Sequence, residues 1–342
     1  VSRGSRLPVS RFVCRQSIAR STIRFVSIAF RVRRARRRGA SWLALLGVAA
    51  GCGGASAEPS GTPPPTTPPP ALDVSGWVSA RDGTMPVVIV APHGGDLSPD
   101  NLPDRQCAGC EVLNDANTQE LAQAVGDAFE RRTGRRPFVV ANRLHRRKFD
   151  GNRERAEATG GHAPLDPMWD RLHLAIDSAK ARALRLHPRA LLIDLHGHAH
   201  DIARLELGYL LTSAELRLAD SLLGPRLGAS SIARLGAVAA SGDRGATLVR
   251  GPRALGTRLA VAGYPAVPSA SDPAPRDGDP YFSGGYNTRR HGSLDGGAVD
   301  AIQLECNYAG VRDTAAARAA FAEALVTALL AYLADHYSWL PG

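Results

Sequence analysis

Pro86-Val87-Val88-Ile89-Val90-Ala91 runs into Pro92-His93-Gly94-Gly95-Asp96, and about a hundred residues later Ala190-Leu191-Leu192-Ile193-Asp194-Leu195 runs into His196-Gly197-His198. Each is a short aliphatic run that stays apolar until it nears its end, as expected of a strand buried on both faces. Between them Asn117 or Thr118 can cap a helix running to Arg132, with Leu121, Val125 and Phe129 on one face at i, i+4 and i+8. Arg136-Pro137-Phe138-Val139-Val140-Ala141 reads as another strand, Trp169 to Leu184 as a second helix, and Ala301 to Glu305 as a later strand. This alternation predicts an α/β fold, a mixed, largely parallel sheet with helices on both faces.

Further along, Leu205 to Leu211 suggests one more strand, followed by helices near Ala214 to Leu223 and Ser231 to Val238. Tyr264 to Gly297 is rich in Gly, Pro, Asp and Arg and reads as a long loop system. Asp313 is the expected cap of an Ala-rich helix whose Phe321, Leu325, Leu329 and Leu333 form an ordinary core stripe.

The chain has 342 residues and a formal net charge of +10, but its first 38 residues carry twelve Arg and no acid. The remainder is therefore close to neutral, which argues against nucleic acid as a partner. Arg31 to Arg38 form a positive segment, Trp42 to Ala50 a short apolar one, and Ala49-Ala50-Gly51-Cys52 sets a Cys after small residues. The apolar run is shorter than a membrane span and resembles a bacterial lipoprotein signal, with Cys52 as the lipid-bearing residue; an uncleaved anchor or ordinary secretory signal is the alternative. Residues 1–52 are thus expected to be a leader. Residues 53–72 form a Pro/Thr-rich linker whose stretch from Glu58 to Pro70 favours polyproline geometry and, at about 3 Å per residue, spans roughly 40 Å. A single domain is expected over 73–342. The implied location is the periplasm or cell exterior, with membrane contact only through the anchor.

Export also colours the cysteines. Cys107-Ala-Gly-Cys110 is expected to form a small loop disulfide and Cys306, after an apolar run, to be a buried thiol.

The chemistry-bearing residues gather where the strands end. Open α/β sheets hold ligands beyond the carboxyl ends of their strands. His93, Asp96 and His196 offer two imidazoles and a carboxylate, a set that suits zinc and leaves one tetrahedral position open. Glu305 ends the last strand as a candidate base. Asn142-Arg143-Leu144-His145-Arg146-Arg147 and Asp150-Gly151-Asn152-Arg153 supply clustered cations suited to a substrate carboxylate, or else a solvated charged loop. Tyr286, Asn287, Arg289, Arg290 and His291 lie on a Gly-rich segment positioned to close over substrate or simply to face solvent.

Together with Glu206-Leu207-Gly208-Tyr209, Gly284-Gly285-Tyr286-Asn287-Thr288 and Ile302-Gln303-Leu304-Glu305, these motifs resemble the N-formylglutamate amidohydrolase family over about Pro86 to Arg312. The resemblance implies a zinc carboxypeptidase-like (phosphorylase/hydrolase-like) fold, related to aspartoacylases, and one zinc ion per chain held by His93, Asp96 and His196. It makes Glu305 the general base and later acid, Arg146 the stabiliser of the oxyanion with Arg143 and Arg147 as rivals, and Asn152 and Arg153 anchors of a substrate carboxylate, with Arg143 also near substrate. Asp194 or His198 would orient a ligand imidazole. Zinc carboxypeptidases carry Glu where this chain has Asp96. The implied activity is hydrolysis of an amide bond in an N-acyl amino acid or carboxylate-bearing peptide. A carboxypeptidase or a γ-glutamyl or cell-envelope peptide hydrolase is the alternative enzyme, and a non-catalytic envelope-binding lipoprotein the alternative outside catalysis.

Overall fold

The computed structural model describes residues 72–238 and 246–341, all within one compact unit, Thr67–Gly342. The expected leader and nearly all of the linker fall outside the described residues.

Seven strands form one sheet in the order β1-β3-β2-β4-β7-β5-β6, where β1 is Val78–Arg81, β2 Val87–Ala91, β3 Phe138–Asn142, β4 Ala190–Gly197, β5 Leu205–Gly208, β6 Ala266–Val267 and β7 Val299–Cys306. The central four, β3, β2, β4 and β7, run parallel, while β1 lies antiparallel to β3 at one edge and β5 antiparallel to β7 towards the other. The expected mixed, largely parallel sheet is present.

Its two faces bury different partners. Val87, Ile89, Leu191, Ile193 and Ile302 pack with Leu121, Val125, Phe129, Phe321 and Leu325 on one side. Val88, Val90, Leu192 and Ala301 pack with Met168, Leu172 and Ile176 on the other. Two long helices, Thr118–Thr133 and Ala315–Tyr337, therefore cover the first face, and Asp166–Leu186 covers the second. Period-two alternation along fully buried strands lets one apolar run serve both layers.

Three local expectations change. The Ala315–Tyr337 helix is capped by Thr314, whose Oγ1 accepts from Ala317 N at 3.0 Å; Asp313 instead accepts from Thr314 N at 2.8 Å. The stretch read as loop from Tyr264 to Gly297 contains β6 and a short helix, Tyr286–His291. The expected strand Leu205 to Leu211 stops at Gly208, where a Cβ would meet the backbone of Ser283 and Gly284. Cys107 and Cys110 are disulfide-bonded and Cys306 is a buried free thiol.

Candidate metal centre and active-site cleft

The register of β4 against β7 sets Asp194 beside Gln303 and His196 beside Glu305. All four stand two or four positions on from Leu192 or Ala301 in the same strands, so they share the face covered by the Asp166–Leu186 helix, at the carboxyl end of the sheet. His93 follows β2, the neighbour of β4, and reaches the same place. His93 Nδ1 lies 3.1 Å from His196 Nδ1, and each is 3.2 Å from Asp115 Oδ2. All three residues are buried.

The third member of this group is Asp115, and Asp96 lies outside it. Gly95 to Leu97 extend the chain alongside residues 143–145, with Leu97 N donating to Arg143 O at 3.0 Å and His145 N to Leu97 O at 2.8 Å. The fit is close enough that a Cβ on Gly95 would clash with the Arg143 backbone. That pairing carries Asp96 to an exposed position. Asp115 arrives from just before the Thr118–Thr133 helix; its backbone N donates to His93 O at 3.1 Å, and Gly197 N donates to Asp115 Oδ2 at 3.1 Å. The two His stand out at the strand ends, whereas an acid 22 residues from His93 in an irregular turn carries no pattern.

Around the trio stands a ring of carboxylates and guanidinium groups. Asp150 Oδ1 lies 2.6 Å from His93 Nε2. Asp194 Oδ2 lies 3.0 Å from His196 Nε2, in an off-axis contact. Protons on these outer nitrogens leave both Nδ1 lone pairs converging on a carboxylate oxygen, an arrangement that calls for a cation. Ligand atoms about 2.0–2.1 Å from a tetrahedral zinc are separated by about 3.3 Å, so the spacing of 3.1–3.2 Å fits a small divalent ion.

The local field agrees. Burial by itself would lower the His196 pKa, but Asp194, Asp115 and Glu305 outweigh it and raise it well above the ordinary value. Burial would likewise raise Asp115, yet His93 and His196 hold it well below the usual carboxylate range. The carboxylates that favour a proton on His196 would equally favour a cation held in its place.

Arg146 is brought to the centre, with its guanidinium committed: Nη1 donates to Asp115 Oδ1 and Nε to Asp150 Oδ2, both at 3.1 Å. It braces one candidate ligand and the carboxylate behind another. Arg143 is not brought in. Its backbone N continues the pairing of β3 with β1 by donating to Trp77 O, and its side chain turns outward to Gly76 O. Arg147 is also exposed, with Nη2 on Ser98 Oγ.

Asn152 and Arg153 do line the cleft. Asn152 Oδ1 accepts from Asn287 N at 2.7 Å and its Nδ2 lies 3.4 Å from His196 Nε2, so the residue sits between the Tyr286–His291 helix and the centre. Arg153 uses Nε on Glu157 and Nη1 on Asn152 O, and Nη2 has no partner among the described residues. Of the Gly-rich segment, Asn287 and Thr288 are buried, donating to Asp194 Oδ1 at 3.2 Å and Gln303 Oε1 at 3.5 Å. That segment is a fixed part of the site's support.

Glu305 is buried, its Oε1 accepting from Gln303 Nε2 at 2.7 Å while Oε2 has no partner among the described residues. Burial, aided by Asp115, Glu206 and Asp194 and opposed by His196, pushes its pKa up to about 8. A second histidine–carboxylate group, His198, His200 and Glu206, lies nearby. His198 has both nitrogens occupied, Nε2 on Arg204 O and Nδ1 accepting from His200 N, so it is spent on structure.

Fold and site together define an α/β protein with a candidate cation centre of two histidines and an aspartate beside a buried glutamate. The sequence matches no family model and no curated protein. Among solved structures, N-formylglutamate amidohydrolase from Ralstonia eutropha is similar at 13% identity and a TM-score of 0.46, covering 77% of this chain and 98% of that one. A gene product from Agrobacterium tumefaciens is similar at 11% identity and a TM-score of 0.47, covering 76% and 95%. Neither likeness assigns an activity to this chain.

Proposed function

We propose that this protein is a zinc-dependent hydrolase that cleaves an amide bond in an N-acyl amino acid or a peptide bearing a carboxylate. The observation that carries the reading is the convergence of His93 Nδ1, Asp115 Oδ2 and His196 Nδ1 within 3.2 Å, beside a glutamate with an unpartnered oxygen. The chain's own residues would hold one ion through these three atoms. Bound there, zinc supplies Lewis acidity, polarising a carbonyl and lowering the pKa of water.

The remaining work falls to the protein. Gln303 fixes Glu305 Oε1, leaving Oε2 free to take a proton from water and return it to the departing nitrogen. Burial holds the Glu305 pKa up at about 8, and its carboxylate form would be favoured by an ion held at the three ligand atoms. Arg146, Asp150 and Asp194 hold the ligands in orientation. Arg153, with an unpartnered Nη2 at the cleft, is the group suited to a substrate carboxylate. Export to an oxidising compartment and anchorage through Cys52 belong to the same proposal, and the Cys107–Cys110 disulfide is in keeping with it.

The test is metal content and hydrolysis on one preparation purified without chelators. Near-stoichiometric zinc, and release of amino acid from N-acyl substrates that stops on chelation, is the expected result. A fully zinc-loaded protein that cleaves no N-acyl amino acid or peptide in a broad panel overturns the enzymatic reading.

A further inference from the structure

One wall of the cleft is built for more than the reacting atoms. The cleft encloses about 590 Å³, room for on the order of twenty waters, more than a formylated amino acid displaces. Most of its lining residues carry polar side chains, but Phe282 and Leu113 also line it, 44% and 72% exposed. Phe282 stacks on His200 with ring centroids 4.6 Å apart and planes 22° from parallel.

This stack is held from behind by a carboxylate. Glu206 is fully buried, and its Oε1 lies 2.8 Å from His200 Nδ1 while Oε2 accepts from Phe282 N at 2.7 Å. Its two oxygens thus tie the loop after β4 to the segment before the Tyr286–His291 helix. A buried carboxylate is costly unless fully hydrogen-bonded, and here its bonds fix a stacked pair of rings in which His200, also 4.9 Å from His198, is the more buried member and Phe282 the half-exposed one. The pair presents Phe282 to the cleft as an aromatic platform.

Resting on the proposed hydrolase reading, we infer that the substrate carries an aromatic group that lies on the His200–Phe282 platform, beside the carboxylate taken by Arg153. The substrate class is then an N-aroyl amino acid, or an N-acyl amino acid or short peptide with an aromatic side chain. Phe282 is a specificity-determining residue, and Glu206 a positioning residue acting through His200. A formyl or acetyl derivative of a small amino acid leaves this wall bare.

The test measures binding, with turnover suppressed. The zinc-loaded Glu305→Gln protein is titrated calorimetrically with two matched pairs, N-benzoylglycine against N-acetylglycine and N-acetylphenylalanine against N-acetylalanine. In at least one pair the aromatic member is expected to bind about three- to tenfold more tightly, the range for one aromatic contact. Adding Phe282→Ala should remove that preference without changing the Kd of the aliphatic member, and Phe282→Tyr should restore it. Equal affinities within both pairs, or a preference indifferent to Phe282→Ala, would overturn the platform and leave the hydrolase reading standing. Binding of none of the four would overturn both.

Discussion

Two groups of buried histidines sit on the same side of the sheet and meet opposite fates. At the candidate cation centre, His196 is surrounded by Asp115, Asp194 and Glu305, and its pKa is raised well above normal against the cost of burial. Behind the Tyr286–His291 helix, His173 Nδ1 lies 3.0 Å from His291 Nε2, and His291 Nδ1 lies 3.2 Å from the half-exposed Asp177. There burial, with His291 and Arg290 adding to it, drives the His173 pKa down to about 3. Imidazoles equally removed from water become a cation receptor in one place and a neutral packing element in the other. The number of buried carboxylates around each decides which.

The strongest way to break this contrast is to empty the centre. His196→Ala or Asp115→Ala is expected to take zinc from about one per chain to none and hydrolysis to background, while Asp96→Ala retains both. Metal analysis beside a hydrolysis assay decides it. Zinc lost from Asp96→Ala and kept in Asp115→Ala would reverse the ligand assignment.

Next in size is the base. Glu305→Gln preserves shape and the bond from Gln303 but cannot accept a proton, so kcat should fall by about 10²–10⁴-fold with zinc content unchanged. Undiminished turnover in a zinc-loaded Glu305→Gln protein would remove Glu305 from the mechanism. A smaller effect is expected behind the ligands. Asp150→Asn, or Arg146→Gln, should weaken zinc binding by about 10–100-fold, the usual range for groups that orient metal ligands, measurable by competition with a chromogenic chelator. An Arg146→Gln enzyme with normal zinc affinity but a depressed kcat would return Arg146 to a direct role on the oxyanion.

The sheet was readable because its central strands are buried on both faces. Val87–Ala91, Ala190–Gly197 and Val299–Cys306 are accordingly apolar along most of their length, so polar residues at their carboxyl ends stand out. Asp194, His196, Gln303 and Glu305 could be read for that reason. β1 could not, being a short edge strand with two partly buried and two exposed residues. Strand direction was equally hidden, since nothing local distinguishes β5, antiparallel to β7, from a parallel neighbour. Asp115 escaped because its place depends on a backbone bond to His93, a contact between segments that no periodicity encodes. Asp96 looked better in sequence only because the pairing of Leu97 with Leu144, which turns it outward, is tertiary.

The smallest expected effect lies in the second histidine group and concerns stability. The His173 pKa is about 3 in the folded chain against about 6.5 when unfolded. Both states hold it neutral above pH 6.5, so its effect is absent there. As pH falls from 6.5 towards 3, the unfolded chain takes up a proton that the folded chain refuses, and stability drops by up to about 1.4 kcal/mol per pH unit. Asp177 acts in the same direction but lower: burial opposes, while His291 and Lys180 bring its pKa down to about 2, so its contribution fades only as pH falls from about 4 to 2. Between pH 6.5 and 4.5 Asp177 therefore contributes little, and comparing the wild type with a His173 variant isolates the effect of that ring. His173→Gln removes the titrating ring, and although its stability at pH 7 is expected to be lower, its urea midpoint should change less between pH 7 and 4.5 than that of the wild type. Equal slopes would mean that His173 takes up its proton in the folded chain too. Burial without surrounding carboxylates would then fail to keep an imidazole neutral here, and the contrast with His196 would lose its physical basis.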